Sequence, residues 1–250
     1  MSESPEFNYD EIADVYAAGV DDAPYNAHFE RPATLALLPD VGGAHILDAG
    51  CGSGFYAEEL ARRGARVTAI DGSSQMAQHA ERRLAEIGIL AANADAHRMG
   101  TVSVRAADLA QPLTFLDDKS VDGILSPLVM HYLRDWVPTL GEFCRVLKPG
   151  GWLLLSTHHP ATEADRFHTE NYFETEPIED YWNWLGTVRF FRRPLTRTVG
   201  DLTDAGFVID RLVEPQPTAE FRRTHPDKFA RNLKHPEFIL IRGRLARQTL

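Results

Sequence analysis

One short stretch constrains this chain more than any other: Ile46-Leu47-Asp48-Ala49-Gly50-Cys51-Gly52-Ser53-Gly54. An apolar run ends in an acid and passes into three glycines spaced two apart. An amphipathic segment, Phe55 to Arg63, follows directly. Glycine belongs where backbone must pass close to a ligand or take positive φ. A helix N-terminus just beyond such a turn offers free N–H groups and the positive end of a dipole. The pattern predicts a strand, a ligand-cradling turn and a helix, the opening unit of an α/β sheet. The acid precedes the glycines, and their spacing is GxGxG rather than the GxGxxG of dinucleotide folds.

Further along, short runs rich in Val, Ile and Leu alternate with helical patterns, which reads as a mostly parallel sheet. Strands are expected at 44–49, 66–71, 102–107, 121–126 and 152–157, with helices at 56–63, 74–86 and 136–147 between them. Lys148-Pro149-Gly150-Gly151 should end the third of these helices and turn the chain into the fifth strand. From 158 to about 195 the pattern lapses into aromatic-rich, irregular sequence. Irregular stretches of that length in a compact domain are usually functional or mobile. A helix near 195–205 and strands at 207–213 and 238–245, separated by the Pro-punctuated linker 214–237, suggest an antiparallel ending. The whole is expected to be one domain with four parts: an N-terminal helical lid over 1–40, a core over 41–157, a cap inserted over 158–195, and a C-terminal helix and strand hairpin over 196–250.

The 250 residues suffice for a substantial core. No apolar run is long enough for a membrane span, and the polar, acidic N-terminus is unlike a signal peptide. Two cysteines, Cys51 and Cys144, make neither a disulfide framework nor a zinc site, which suits a reducing cytoplasm. The formal net charge of −10 is uneven. Residues 1–185 hold 13 Lys and Arg against 29 Asp and Glu, and residues 186–250 hold 13 against 7. The acidity argues against a large nucleic-acid footprint, which needs a basic stripe.

Asp71 ends the second expected strand and Asp108 the third. A carboxylate at the first position can accept from vicinal ribose hydroxyls, and one at the second from an exocyclic amine such as adenine N6. The glycines and both acids fall at strand C-termini, where open α/β sheets bind ligands. Helix capping at the first position falls to Ser73 or Ser74 rather than Asp71.

These residues resemble the class I S-adenosylmethionine-dependent methyltransferases, and the resemblance covers most of the chain. Residues 47–54 look like that family's first motif, Val67-Thr68-Ala69-Ile70-Asp71-Gly72-Ser73 like its second, Ala107-Asp108-Leu109 like its adenine-recognition segment, and Leu147-Lys148-Pro149-Gly150-Gly151 like the turn before its fifth strand. The resemblance implies a Rossmann-like, doubly wound, seven-stranded, mostly parallel sheet with an antiparallel last strand. It also implies S-adenosyl-L-methionine as cofactor, with contacts at Asp48, Gly50, Gly52, Gly54, Asp71, Gly72, Met76, Asp108, Leu109 and Ser126, and at Tyr16 and Tyr25 of a closing N-terminal segment. Glu30-Arg31-Pro32, the segment from Leu128 to Trp136, and Ser156-Thr157-His158-His159-Pro160 are similar to a bacterial group of small-molecule-type methyltransferases. The segment 86–101 looks longer than this family usually has and reads as a surface extension.

The expected reaction is methyl transfer to an O, N or C nucleophile of a small molecule, with no metal. His131 and His158 stand just beyond the fourth and fifth strands, and an imidazole there can take a proton from the acceptor. His159 should point the other way, since neighbouring residues in extended backbone alternate. The aromatics between Tyr172 and Phe191 either line an apolar cavity or fasten the cap. Arg192-Arg193 either grip a carboxylate or lie in solvent, and Cys51 reads as a packing residue. Ser126-Pro127-Leu128-Val129 replaces the Asn/Asp-Pro-Pro-aromatic motif used on the amino groups of bases, which argues against N-methylation of nucleic acid. The alternatives are a tRNA or protein methyltransferase and a non-catalytic binder of the cofactor. A nicotinamide oxidoreductase is opposed by the glycine spacing and the early acid. Oligomeric state is unreadable.

Overall fold

The computed structural model describes residues 9–91 and 100–246. In chain order the elements are α1 (Ala13–Gly19), α2 (Arg31–Leu37), β1 (His45–Ala49), α3 (Phe55–Arg62), β2 (Arg66–Asp71), α4 (Ser74–Glu86), β3 (Val102–Ala106), β4 (Val121–Pro127), α5 (Val137–Val146), β5 (Leu147–His158), α6 (Pro160–Arg166), β6 (Glu176–Trp182), β7 (Gly186–Arg192), α7 (Leu195–Asp204), β8 (Phe207–Val213), α8 (Ala219–Thr224), α9 (Pro226–Asn232) and β9 (Phe238–Leu245). A single π-helical turn, Asn26–Glu30, leads into α2.

Among the described residues the main sheet has seven strands in the order β3-β2-β1-β4-β5-β9-β8. β1 to β5 are parallel to one another, and β9 runs antiparallel to both β5 and β8. This is the doubly wound arrangement expected from the sequence. The strand order reverses between β1 and β4, so their C-terminal ends diverge into a crevice where such sheets bind ligands.

Both faces of the sheet are covered over its central strands, β1, β4 and β5, which are buried on both sides. α3 and α4 bury Ala57, Leu60, Ala80 and Leu84 against Ile46, Val67 and Leu154. α5 and α7 bury Leu140, Phe143 and Leu202 against Leu47, Ile124 and Leu153 on the other. The helix starts follow local chemistry. Ser73 Oγ accepts the Met76 N–H to cap α4, and Pro160 and Pro226 open α6 and α9, where a missing N–H costs nothing. Among the described residues no helix is long and apolar enough to cross a membrane.

Three segments differ from the sequence expectation. The cap is not irregular: it holds α6 and a hairpin in which β6 and β7 pair residue for residue, from Glu176 opposite Arg192 to Trp182 opposite Gly186. Val188, Phe190 and Arg192 alternate inward on β7, but Pro177 and three acids disguise β6. The linker 214–237 forms α8 and α9. β5 starts at Leu147, and Lys148–Gly151 is an irregular entry to it, with a register shift opposite 121–123. Most of the expected extension at 86–101 lies outside the described residues.

Candidate functional site

The crevice opens into a cavity of about 910 Å³, toward the upper end of roughly 300–1,000 Å³ for ligand sites. Gly50, Gly52, Asp71, Gly72, Met76, Asp108, Leu109 and Tyr16 line it, so eight of the expected contact positions converge there. Gly50 shows why the turn is glycine. It takes φ +84°, and an added Cβ would stand 2.7 Å from Val129 Cγ1, so β1 and the segment after β4 touch at the reversal point. The N–H groups of Gly50 and Cys51 both reach Ile70 O at 2.8 Å, tying the turn to β2.

Asp71 Oδ2 accepts the Gly52 N–H at 2.8 Å, and Oδ1 accepts the Ser73 N–H at 2.9 Å. The carboxylate thus holds the glycine turn and the start of α4 together. Burial raises its pKa against the pull of those two N–H groups. Asp48 lies beneath the turn, fully buried, with the Ala57 N–H near it but, among the described residues, no donor in hydrogen-bonding geometry to either oxygen. Burial first, then the negative charge of Asp71, pushes its pKa up to about 8, and the Ala57 N–H only partly opposes this. Asp108 is exposed at the rim, with Oδ1 taking the Ala110 N–H at 2.8 Å. Leu128 takes φ +54° where the wall turns away from β4, a strained conformation of the kind that clusters at ligand sites.

A second cavity of about 60 Å³ adjoins the turn, lined among others by Glu30, Arg31, Phe55 and Tyr56. Arg31 lies over the Phe55 ring at 3.9 Å and donates to Val20 O and to Asp21. Glu30 is buried and accepts from Tyr56 Oη at 2.7 Å, Ser156 Oγ at 2.6 Å and Thr34 Oγ1 at 2.5 Å. Burial raises its pKa against those donors.

The other expected contacts lie elsewhere. Gly54, at φ +89°, caps α3 and lets it approach Ala80 of α4. Ser126 is fully buried, and its Oγ bonds Ala49 O between β1 and β4. Tyr25 packs among Phe29, Phe221 and Phe238, on the side of α8 and α9. Asp48 is under the cavity floor rather than on its wall. Tyr25, Ser126 and Gly54 therefore serve packing and sheet geometry here.

Neither His131 nor His158 is on the cavity wall. His131 is buried with Nε2 unpartnered, and burial, then nearby His158, holds its pKa well below the ordinary imidazole value. His158 stacks on it at 4.4 Å and gives Nδ1 to Glu163 at 2.8 Å. His159 points away, to Glu214 at 2.8 Å, the alternation expected of extended backbone. Arg192 is fully buried, holding Glu176 and the carbonyls of Asn171, Tyr172 and Glu174. Arg193 is buried on Asp201 and over the Trp136 ring. Arg192 ties the cap together and Arg193 fastens its end to α7 and to the segment before α5, so neither lies in solvent. Burial pushes the Cys51 thiol up, so it packs as a protonated side chain.

The far wall was not assigned by residue from sequence. Leu128, Val129, Tyr132 and Leu133 supply one side, and Pro177, Ile178, Glu179, Arg189, Phe190 and Phe191 of the hairpin supply the other. The aromatic cap segment was a usable signal for Phe190 and Phe191. Tyr172 instead braces Leu195, and Phe173 and Tyr181 are exposed. From the N-terminal segment, Tyr9 meets Tyr132 Oη to Oη at 2.5 Å, and Asp10 accepts from Ser73 Oγ at 2.5 Å.

A cleft with a glycine turn, a buried acid beneath it, a second acid on its wall and a helix N-terminus beyond can take a ligand that carries both hydroxyl donors and an anionic group. The comparisons agree. Residues 47–155 match a family described as a methyltransferase domain. The chain is 28% identical to a crystal structure of an S-adenosylmethionine-dependent methyltransferase from Mesorhizobium loti, with a TM-score of 0.69, covering 90% of this chain and 100% of that one. It is 29% identical over 222 residues to the N-demethylindolmycin N-methyltransferase of Streptomyces griseus, covering 85% of this chain and 86% of that one. It is 25% identical over 236 residues to a protein of Haemophilus influenzae that carries no functional name, covering 88% of each.

Proposed function

We propose that the chain is a class I S-adenosylmethionine-dependent methyltransferase, a reading supported by the match of residues 47–155 and by the Mesorhizobium loti structure, and that it methylates an O, N or C nucleophile of a small molecule. The observation that carries this reading is the cavity beyond the cofactor edge, walled by Leu128, Val129, Ile178, Phe190 and Phe191 and roofed by a hairpin. A largely apolar wall selects a compact acceptor by shape and burial. The Streptomyces relative is named for a small-molecule acceptor, which supports the same class.

The cofactor supplies an electrophilic methyl group on a sulfonium. The chain's own residues bind, orient and exclude water. In this proposal the Gly50–Gly54 turn holds the amino-acid end, Asp71 the ribose hydroxyls, Met76 and Leu109 the adenine faces, and Asp108 the adenine amine. The hairpin and Tyr9, Tyr16 and Tyr132 exclude water from the transfer. His158 is proposed as the group that takes the acceptor's proton. His131, held neutral by burial, supports its ring. A cytoplasmic setting is part of the proposal, supported by two free cysteines.

The test incubates the full chain with S-adenosylmethionine and a panel of phenols, indoles and amines, and reads product by mass spectrometry. Cofactor-dependent gain of a methyl group on a panel member supports the reading. Methylation of tRNA or of protein in a parallel arm, with the panel untouched, overturns it. Cofactor binding by calorimetry without any transfer points to the non-catalytic alternative.

A further inference from the structure

Among the described residues, the titratable groups on the cavity wall are Tyr9, Tyr16, Asp71, Asp108, Tyr132, Glu179 and Arg189. None of them is an imidazole. Burial pushes all three tyrosines up, Asp71 is engaged by two backbone N–H groups, and Glu179 pairs with Arg189 at 2.8 Å. Directly behind one side of the wall stands a different arrangement. Glu163, on the first turn of α6, is buried and meets His158 Nδ1 at 2.8 Å. His131 stacks flat on the same imidazole, with planes 17° apart. His158 nevertheless keeps 15% of its side chain accessible, against 9% for Glu163, and among the described residues only its Nδ1 is hydrogen-bonded. The ring of Phe190 packs edge-on against His158 at 4.8 Å and is itself a wall of the cavity.

We propose that Glu163 is a positioning residue for His158, and that the Phe190 ring is the partition through which this imidazole meets the acceptor. The inference rests on the small-molecule reading above and deepens it. A carboxylate on Nδ1 fixes the proton there, leaves Nε2 as the free acceptor, and balances the imidazolium formed on proton uptake. When the Phe190 ring turns aside, the acceptor's O–H or N–H bond breaks toward Nε2. The proton forms the new N–H bond, and the electron pair stays on the acceptor as its nucleophile. His131 adds no charge to the stack, because burial keeps it neutral. The arrangement predicts an acceptor whose nucleophile must lose a proton, such as a phenol or an indole N–H, rather than a thioether or an already neutral tertiary amine.

The first test uses the full chain loaded with S-adenosylhomocysteine and nitrogen NMR of isotope-labelled histidine, with His158 assigned from His158→Gln. The wild type should show a protonated Nδ1 and a bare Nε2. Glu163→Ala should lose that preference, whereas Glu163→Gln, whose carbonyl still accepts, should keep it. A wild-type ring carrying its proton on Nε2 overturns the proposal. The second test is the rate at which diethyl pyrocarbonate labels His158, read by peptide mass. Phe190→Ala should raise it severalfold, with Phe190→Leu as the variant to use if the alanine form unfolds. An unchanged rate in a folded variant overturns the partition. Neither measurement needs an acceptor, so their failure is separate from failure of the small-molecule panel. With a panel acceptor in hand, Glu163→Gln should lower kcat about tenfold or more with KM within about twofold, general-base terms running to about 10²–10⁴-fold. An unchanged kcat overturns the role in proton transfer.

Discussion

Replacing Gly50 by alanine tests whether the glycine turn is dictated by the neighbouring segment after β4. Two terms add. Gly50 sits at φ +84°, and a left-handed backbone costs an L-residue with a Cβ about 1–2 kcal/mol. The new Cβ would also stand 2.7 Å from Val129 Cγ1 and 3.0 Å from Val129 Cβ, and overpacking of this kind costs about 1–3 kcal/mol. The sum is about 2–5 kcal/mol, a fall in Tm on the order of 10 °C for a chain of this size. The strain falls on the turn proposed to cradle the cofactor, so calorimetric affinity for S-adenosylhomocysteine should drop with it. The double variant Gly50→Ala/Val129→Ala separates the terms. Removing the Val129 methyls relieves the contact but not the backbone, so the pair should show a favourable coupling of about 1–3 kcal/mol. Strictly additive losses, or a Gly50→Ala protein that melts and binds like the wild type, would refute the contact as the reason for glycine.

Asp71→Asn replaces one of two accepting oxygens by an N–H donor that must face the Gly52 or Ser73 N–H. A buried unsatisfied donor costs about 1–3 kcal/mol, so S-adenosylhomocysteine should bind about tenfold to a hundredfold more weakly by calorimetry. Stability should also carry two opposed pH dependences in cofactor-free protein. Asp48, with its pKa raised to about 8 in the fold, binds its proton more tightly folded than unfolded. Its contribution is full below about pH 4 and fades as pH rises through about 8. His131 is depressed, so its contribution holds above about pH 6.5 and fades as pH falls. Melting curves across this range should show Asp48→Asn flattening the alkaline limb and His131→Phe the acid limb. Arg192→Met removes a fully buried guanidinium that holds Glu176 and three carbonyls. With those acceptors left unpaired at about 1–3 kcal/mol each, hydrogen exchange across 171–176 should accelerate while β1 to β4 stay protected.

The glycine-turn half of the cavity was legible because its signals are contiguous. The apolar run before Asp48, the three glycines and the amphipathic segment after them form one strand-turn-helix unit, and each part confirms its neighbours. Ser73 as the cap of α4 was likewise readable, since capping reaches only three residues. The cap was not. β6 carries Pro177, Glu176, Glu179 and Asp180, so composition argues against a strand, and only its partner β7 makes it one. Arg192 and Arg193 read as solvated or substrate-facing for the same reason. The acceptors that bury Arg192 come from residues 16–21 positions earlier, and those of Arg193 from residues up to 60 positions away.

The sequence by itself determined the class of sheet, the place of the glycine turn and the acids that flank it, because those features depend on residues a few positions apart and on backbone preferences that glycine alone satisfies. Only the tertiary structure decided that Gly50 meets Val129, that Ser126, Gly54 and Tyr25 pack away from the cavity wall, that Glu163 takes His158, and that a hairpin walls the far side of the cavity. A buried charge or a strand without pattern takes its meaning from a partner distant in sequence, and that partner is chosen by the packing of the whole sheet, which no local stretch encodes.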